Sequence, residues 1–137
     1  MNYCNFLRFG LLLAGLVLVQ PVSAADATLE GYRTVDLASW EMRTAPSAMA
    51  LVEPLYRDHP ESLEGRPTLK IDLHPGDSGE LIIELEMGGY LDDSVAGQQY
   101  RAIVVQSPGG WHLQALGTRY ICARGSNAGN PTVNLCL

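Results

Sequence analysis

The chain has 137 residues, with 9 Lys+Arg against 15 Asp+Glu and 3 Cys. That length supports one small domain. An acidic balance with a single lysine lacks the clustered cations that grip a phosphate backbone, so nucleic acid is not an expected partner, and anionic membrane surfaces are disfavoured for the same reason.

Residues 1–24 read as a secretory leader. Arg8 precedes the apolar run Gly10–Val19 (GLLLAGLVLV), and Gln20-Pro21-Val22-Ser23-Ala24 supplies small side chains for a cut after Ala24. The run is too short to cross a bilayer comfortably, so no membrane insertion is expected after cleavage. Cys4 lies before the apolar run, not after it, and is not placed as a lipid acceptor. Cleavage leaves residues 25–137, with 8 basic and 15 acidic side chains. Of the cysteines, Cys122 and Cys136 then remain. In an exported chain these are expected to pair. A metal site is the weaker reading, because the two are far apart in sequence, without a CxxC or a nearby His. Export through such a leader points to the periplasm or beyond.

Residues 25–43 form a mixed arm whose Leu29, Tyr32, Val35, Leu37 and Trp40 suit a short strand or irregular packing, with Trp40 in the core. Thr44-Ala45-Pro46 reads as a helix start, since proline is tolerated in a first turn. Met49, Val52, Leu55 and Tyr56 then recur at helical spacing. Pro54 removes the bond to the Ala50 carbonyl and predicts a kinked or split helix, ending at Asp58-His59-Pro60.

Strand signals follow. In 68–73, Leu69, Ile71 and Leu73 alternate with Lys70 and Asp72. In 80–87, Leu81, Ile83, Leu85 and Met87 alternate with Glu80, Glu84 and Glu86. His74–Gly79 is the turn between them. The favoured register sets Leu73 opposite Leu81 and Lys70 opposite Glu84. Residues 88–97 form a connection, with a helical turn capped by Asp92. A third strand spans 99–106, Ser107-Pro108-Gly109-Gly110 turns, 111–116 returns, Gly117-Thr118 turns again, and 119–123 is the last strand. This parity puts Tyr100, Ala102 and Val104 on one face with Trp111, Leu113, Ala115, Tyr120 and Cys122, and Arg124 near Trp111. The expected architecture is one α+β domain over 25–137. A short Pro-interrupted helix packs on an antiparallel sheet of four or five strands, the charged face is wet, and the tail 124–136 is held by the disulfide.

No motif demands catalysis. His59, His74 and His112 are not at metal-ligand spacing, no GxSxG is present, and Ser78 is a turn serine in Asp77-Ser78-Gly79. Glu80, Glu84 and Glu86 could form a carboxylate site, as could Asp92-Asp93. The stronger reading is a solvated charged row and a local cap. Gly88-Gly89 and Gly109-Gly110 lack phosphate-loop spacing. Neither a metal nor a cofactor is called for.

The most distinctive features lie in the C-terminal third. Arg101, Arg119 and Arg124 are three of the eight basic side chains left after cleavage, and in this reading they gather near Trp111. Trp and Arg dominate binding hot spots, so Trp111, Arg101, Arg119 and Arg124 form a candidate recognition patch. The competing reading is cation–π packing plus ion pairs with the Glu row.

The series Asp92-Asp93-Ser94-Val95-Ala96-Gly97, Tyr100-Arg101, Gly110-Trp111, Gly117, Arg119-Tyr120-x-Cys122-x-Arg124-Gly125 and Cys136 resembles small exported bacterial proteins of uncharacterised function. Those end in a Trp-bearing hairpin and a disulfide-closed basic loop. The resemblance spans about 45 residues, and it implies a secreted fold without transferring an activity. Tyr120-x-Cys122-x-x-Gly125 is also similar to the Tyr-x-Cys motif of periplasmic C-type lysozyme inhibitors. There the motif opens a small barrel, whereas here it lies at the end, and the Ser- and Lys-bearing inhibitory segments are not recognisable, so that family is not assigned.

The expected function is a non-enzymatic periplasmic module that binds an envelope protein, of inhibitor or immunity type. The alternative is a small-ligand carrier or cryptic hydrolase, with Tyr56, Tyr90 or His112 converging in a pocket between helix and sheet.

Overall fold

The structure, a computed structural model, describes residues 29–59 and 66–137. The leader and its cut after Ala24 lie outside these residues. The described chain is an antiparallel sheet with one α-helix packed on it.

The sheet has seven strands, not four or five: β1 (Arg33–Thr34), β2 (Thr44–Ala45), β3 (Thr68–Pro75), β4 (Leu81–Gly88), β5 (Val95–Ser107), β6 (Gly110–Cys122) and β7 (Pro131–Thr132). The main path runs β1-β6-β5-β4-β3, and β2 and β7 also pair with β6. The extra strands are two-residue pieces from the arm and the tail, too short to leave a periodic signal. Together β7, β1 and β2 line the outer edge of β6, at Tyr120–Ile121, Gly117–Thr118 and Trp111–His112 respectively. The arm crosses this edge as it goes. Leu29 and Tyr32 lie against one sheet face, whereas Val35, Leu37, Trp40 and Met42 pack into the core on the other.

Thr44-Ala45 does not begin the helix. These residues pair with His112 and Trp111, and the helix α1 (Ala48–Tyr56) starts after Ser47, whose hydroxyl accepts from the Ala50 N–H (3.3 Å). Gly110 allows that close pairing: its φ is +114°, and a Cβ there would lie 2.4 Å from the Ala45 carbonyl oxygen. The helix is not split at Pro54. It continues to Tyr56, and the Arg57 N–H still donates to the Glu53 carbonyl (2.9 Å). Pro54 is exposed and stands two residues from the helix end, so little helix remains for it to break.

The core fills the space between α1 and the sheet. Leu51 and Val52 of the helix meet Ile83, Leu85, Val104, Leu113 and Leu116, all essentially inaccessible to solvent. Trp40 packs against this cluster from its margin.

The β3–β4 register keeps the expected parity but slips by two residues. Leu73 faces Ile83, Lys70 faces Glu86 and Asp72 faces Glu84, and the turn is Gly76–Glu80. Lys70 instead bonds Asp72 on its own strand (2.7 Å). Glu80 is not part of a wet row: it is buried in the turn, where its carboxylate accepts the Ser78 N–H (3.0 Å).

Strand β6 is continuous, and Gly117-Thr118 is not a turn. The phase change comes instead from Gln114, which has no partner between the pairs Ile103–Ala115 and Val104–Leu113. This bulge turns Ala115 to the outer face, against Ile103 and Leu29, while Leu113 and Leu116 both point inward. The outer face is therefore partly covered rather than wholly wet.

Residues 89–94 contain no helical turn. The Asp92 carboxylate accepts the N–H groups of Ser94 (2.7 Å) and Val95 (2.8 Å), closing a local turn before β5. These two bonds, that to Val95 foremost, hold its carboxyl below the ordinary value of 3.8. Stability from this turn is therefore present above that value and lost as pH falls through the lower folded value. Thermal melts from pH 5 to pH 2 should show wild type losing more than Asp92→Ala over the acid range. Parallel curves would show that the turn carries no such linkage.

Candidate functional site

The outer face of the sheet carries a polar cluster built on Gly117. A Cβ at this position would lie 2.7 Å from Tyr32 Cβ and 3.0 Å from Leu29 Cδ2. Glycine thus opens the strand so that the arm can lie directly on it. Tyr32 then sits beside two guanidinium groups: Arg119 Cζ is 4.2 Å from the ring centroid and Arg101 Cζ 4.5 Å. Burial raises the phenol above the ordinary tyrosine value, against the opposing pull of Arg119 and Arg101.

Cross-strand partners fix both arginines. Arg101 faces Glu84 on β4, and its Nε and Nη2 both donate to Glu84 Oε1, at 2.9 and 2.6 Å. The other oxygen of Glu84 lies 3.8 Å from His74 Nε2. Arg119 faces Gln99, and its Nε donates to Gln99 Oε1 (2.6 Å), while the Gln99 amide donates onward to Glu86. Lys70 and Asp72 complete the rim of a cleft of about 210 Å³ beside Tyr32. Arg101, Arg119 and Lys70 balance Glu84, Glu86 and Asp72, so the patch has both signs and no large net field. Such a surface suits a partner with complementary polar groups better than a polyanion.

Of the four residues in the sequence-derived patch, only Arg101 and Arg119 come together here. Trp111 pairs with Ala45 and Gln106 at one end of β6 and packs on the core side. Arg124 lies beyond the opposite end of the same strand. Its Nε donates to the Leu137 carbonyl (3.0 Å) and its Nη2 to Ser94 Oγ (3.3 Å), so it ties down the tail. Because β6 is one extended strand and not a folded pair, Trp111 is roughly 36 Å along it from Cys122, the end beyond which Arg124 lies, at about 3.3 Å per residue. Both features of the competing reading are present: the cation–π contacts, made to Tyr32 and not to Trp111, and the ion pair with the Glu row.

Sequence reasoning anticipated the ion pair with the Glu row but missed Tyr32 and Gln99 as members of this cluster. The available signal was Gly117, a glycine in mid-strand that marks a close backbone approach.

Cys122 and Cys136 form a disulfide, with Cα atoms 5.3 Å apart. Tyr56, Tyr90 and His112 do not converge. Tyr56 packs at the helix end, Tyr90 tilts against the His59 ring (5.7 Å), and His112 Nδ1 lies 3.3 Å from Thr44 Oγ1. A separate cleft of about 390 Å³ lies between the arm and α1, lined by Ser39, Trp40, Glu41, Met42, Pro54 and Arg57. Among the described residues, no three His, Cys, Asp or Glu side chains are grouped to hold a metal, and no helix is long and apolar enough to cross a membrane. The chain matches no known protein-family model, no curated protein and no solved structure.

Proposed function

We propose that this is a non-enzymatic module of the bacterial periplasm that binds an envelope protein through the Tyr32–Arg101–Arg119 face. The observation that carries the reading is the stack itself. Two guanidinium groups lie within 4.5 Å of the centre of one aromatic ring, and those groups are oriented by Glu84 and Gln99. Tyr and Arg are the residue types that anchor protein interfaces, and side chains already held in place lose little freedom on binding. The balanced charges around the stack favour specificity over bulk electrostatic capture. The leader-like N terminus and the disulfide support an oxidising compartment outside the cytoplasm.

Affinity capture from envelope extract tests this. Wild type should retain one stoichiometric protein, Arg119→Glu should lose at least tenfold of it, and Trp111→Ala should keep it. Equal recovery by wild type and Arg119→Glu, or recovery of nothing across growth conditions, would refute this reading.

A further inference from the structure

We propose that β3 is a pairing edge for a second copy of this chain, with the two β3 strands antiparallel across a two-fold axis and Ile71 opposite the partner's Ile71. The opposite edge of the sheet is lined by β7, β1 and β2. Among the described residues, nothing pairs with the outer side of β3. This edge is eight residues long, and it leaves Leu69 at 43 % and Leu73 at 49 % exposure on the face continuous with the core. A long apolar edge of this kind templates further strand pairing unless something covers it.

Backbone phase shows which groups are free. The Gly76 N–H donates to the Glu80 carbonyl (2.8 Å), extending the β3–β4 register by one pair. Hydrogen-bonded pairs alternate along an antiparallel ladder, so the even-numbered residues of β3 direct their backbone groups to β4. Leu69, Ile71 and Leu73 direct theirs outward. Pro75 has the same outward phase, and its missing N–H ends the usable edge.

The side chains select one register. Centring the two-fold on Ile71 sets Leu69 opposite the partner's Leu73 and extends the apolar layer across the axis. It also sets Lys70 opposite the partner's Asp72. Centring on Lys70 or on Asp72 would instead place like charges face to face, which is unfavourable. Lys70 and Asp72 are exposed, at 70 % and 52 % of their side chains. Asp72 faces Glu84 within its own sheet, so a second cation from the partner would relieve a like-charge contact. A pairing in which the same patch meets itself closes as a dimer.

Sedimentation velocity of the purified protein should give twice the protomer mass. Lys70→Asp should raise the dimer dissociation constant at least tenfold, and the exchange Lys70→Asp with Asp72→Lys should restore it. Thermal melts confirm that the variants fold. Ile71→Cys should crosslink into a covalent dimer on oxidation, because Cα atoms in such a hydrogen-bonded pair sit about 5.5 Å apart, within disulfide reach. Lys70→Cys should not crosslink. A monomer at every concentration would overturn the proposal, as would a dimer indifferent to the charge exchange or a crosslink at Lys70 but not at Ile71. Lys70 and Asp72 also rim the Tyr32 cleft, so capture of an envelope partner is read separately in Ile71→Cys, whose side chain packs on the core side and leaves that rim intact.

Discussion

Replacing Leu51 with alanine is expected to cost about 2–5 kcal/mol, the range for removing a fully buried leucine. Leu51 is completely inaccessible in α1 and touches the cluster that Ile83, Leu85, Val104 and Leu113 form on the sheet. The sign makes this substitution informative. Alanine has the higher helix propensity, so on an undocked helix the change would be neutral or slightly stabilising. Urea denaturation gives the result directly. A loss under about 0.5 kcal/mol, the usual size of a surface effect, would mean that α1 does not cover the sheet as described.

Removing both cysteines, as Cys122→Ser with Cys136→Ser, is expected to cost about 3 kcal/mol by the chain-entropy argument for a loop of this length. The loop spans 14 positions, and Cys122 itself is buried. The native state should also respond locally. Pro131 and Thr132, which pair with Ile121 and Tyr120 of β6, and the Gly129 N–H bond to the Cys122 carbonyl all belong to the segment that the disulfide closes. Hydrogen exchange in 128–132 should rise well before global unfolding, while β4 and β5 keep their protection. Mass spectrometry of the purified protein should find no free thiol at either position, and two free thiols would remove the argument.

Much of the sheet was legible because alternation is a two-residue signal, and few other arrangements satisfy it. Leu69-Ile71-Leu73 and Leu81-Ile83-Leu85-Met87 share a face as read. The two-residue slip arose because parity restricts register only to even steps. The choice among those steps belongs to the turn, where buried Glu80 and Gly76 close a tighter link than His74–Gly79 suggests. The pairing of Cys122 with Cys136 followed from their number and the expected compartment.

The misreadings share a cause. Gly117 and Thr44-Ala45-Pro46 carry strong local signals for a turn and a helix start, yet long-range contacts decide both. Gly117 is a glycine because Tyr32, 85 positions earlier, lies on it, and Thr44-Ala45 extends because β6 pairs with it. The polar cluster was only half visible for the same reason. Arg101, Arg119 and the Glu row stood out as charges, but their alignment depends on the strand pairing, and the aromatic ring beside them arrives from the arm.

The unpaired Gln114 has a further consequence for how this chain tolerates change in length. The two halves of its longest hairpin are out of step by one residue, and Leu116, Thr118 and Cys122 face inward only because of that offset. Losing this single position would leave plain alternation, with Leu113 inward, Ala115 outward and Leu116 inward, so the distal half would keep its faces, the sulfur bridge its side and Tyr32 its bed. A three-nucleotide deletion in its codon is therefore one the strand can absorb, whereas the same loss at Leu113 or Leu116 would take a fully buried side chain out of the core.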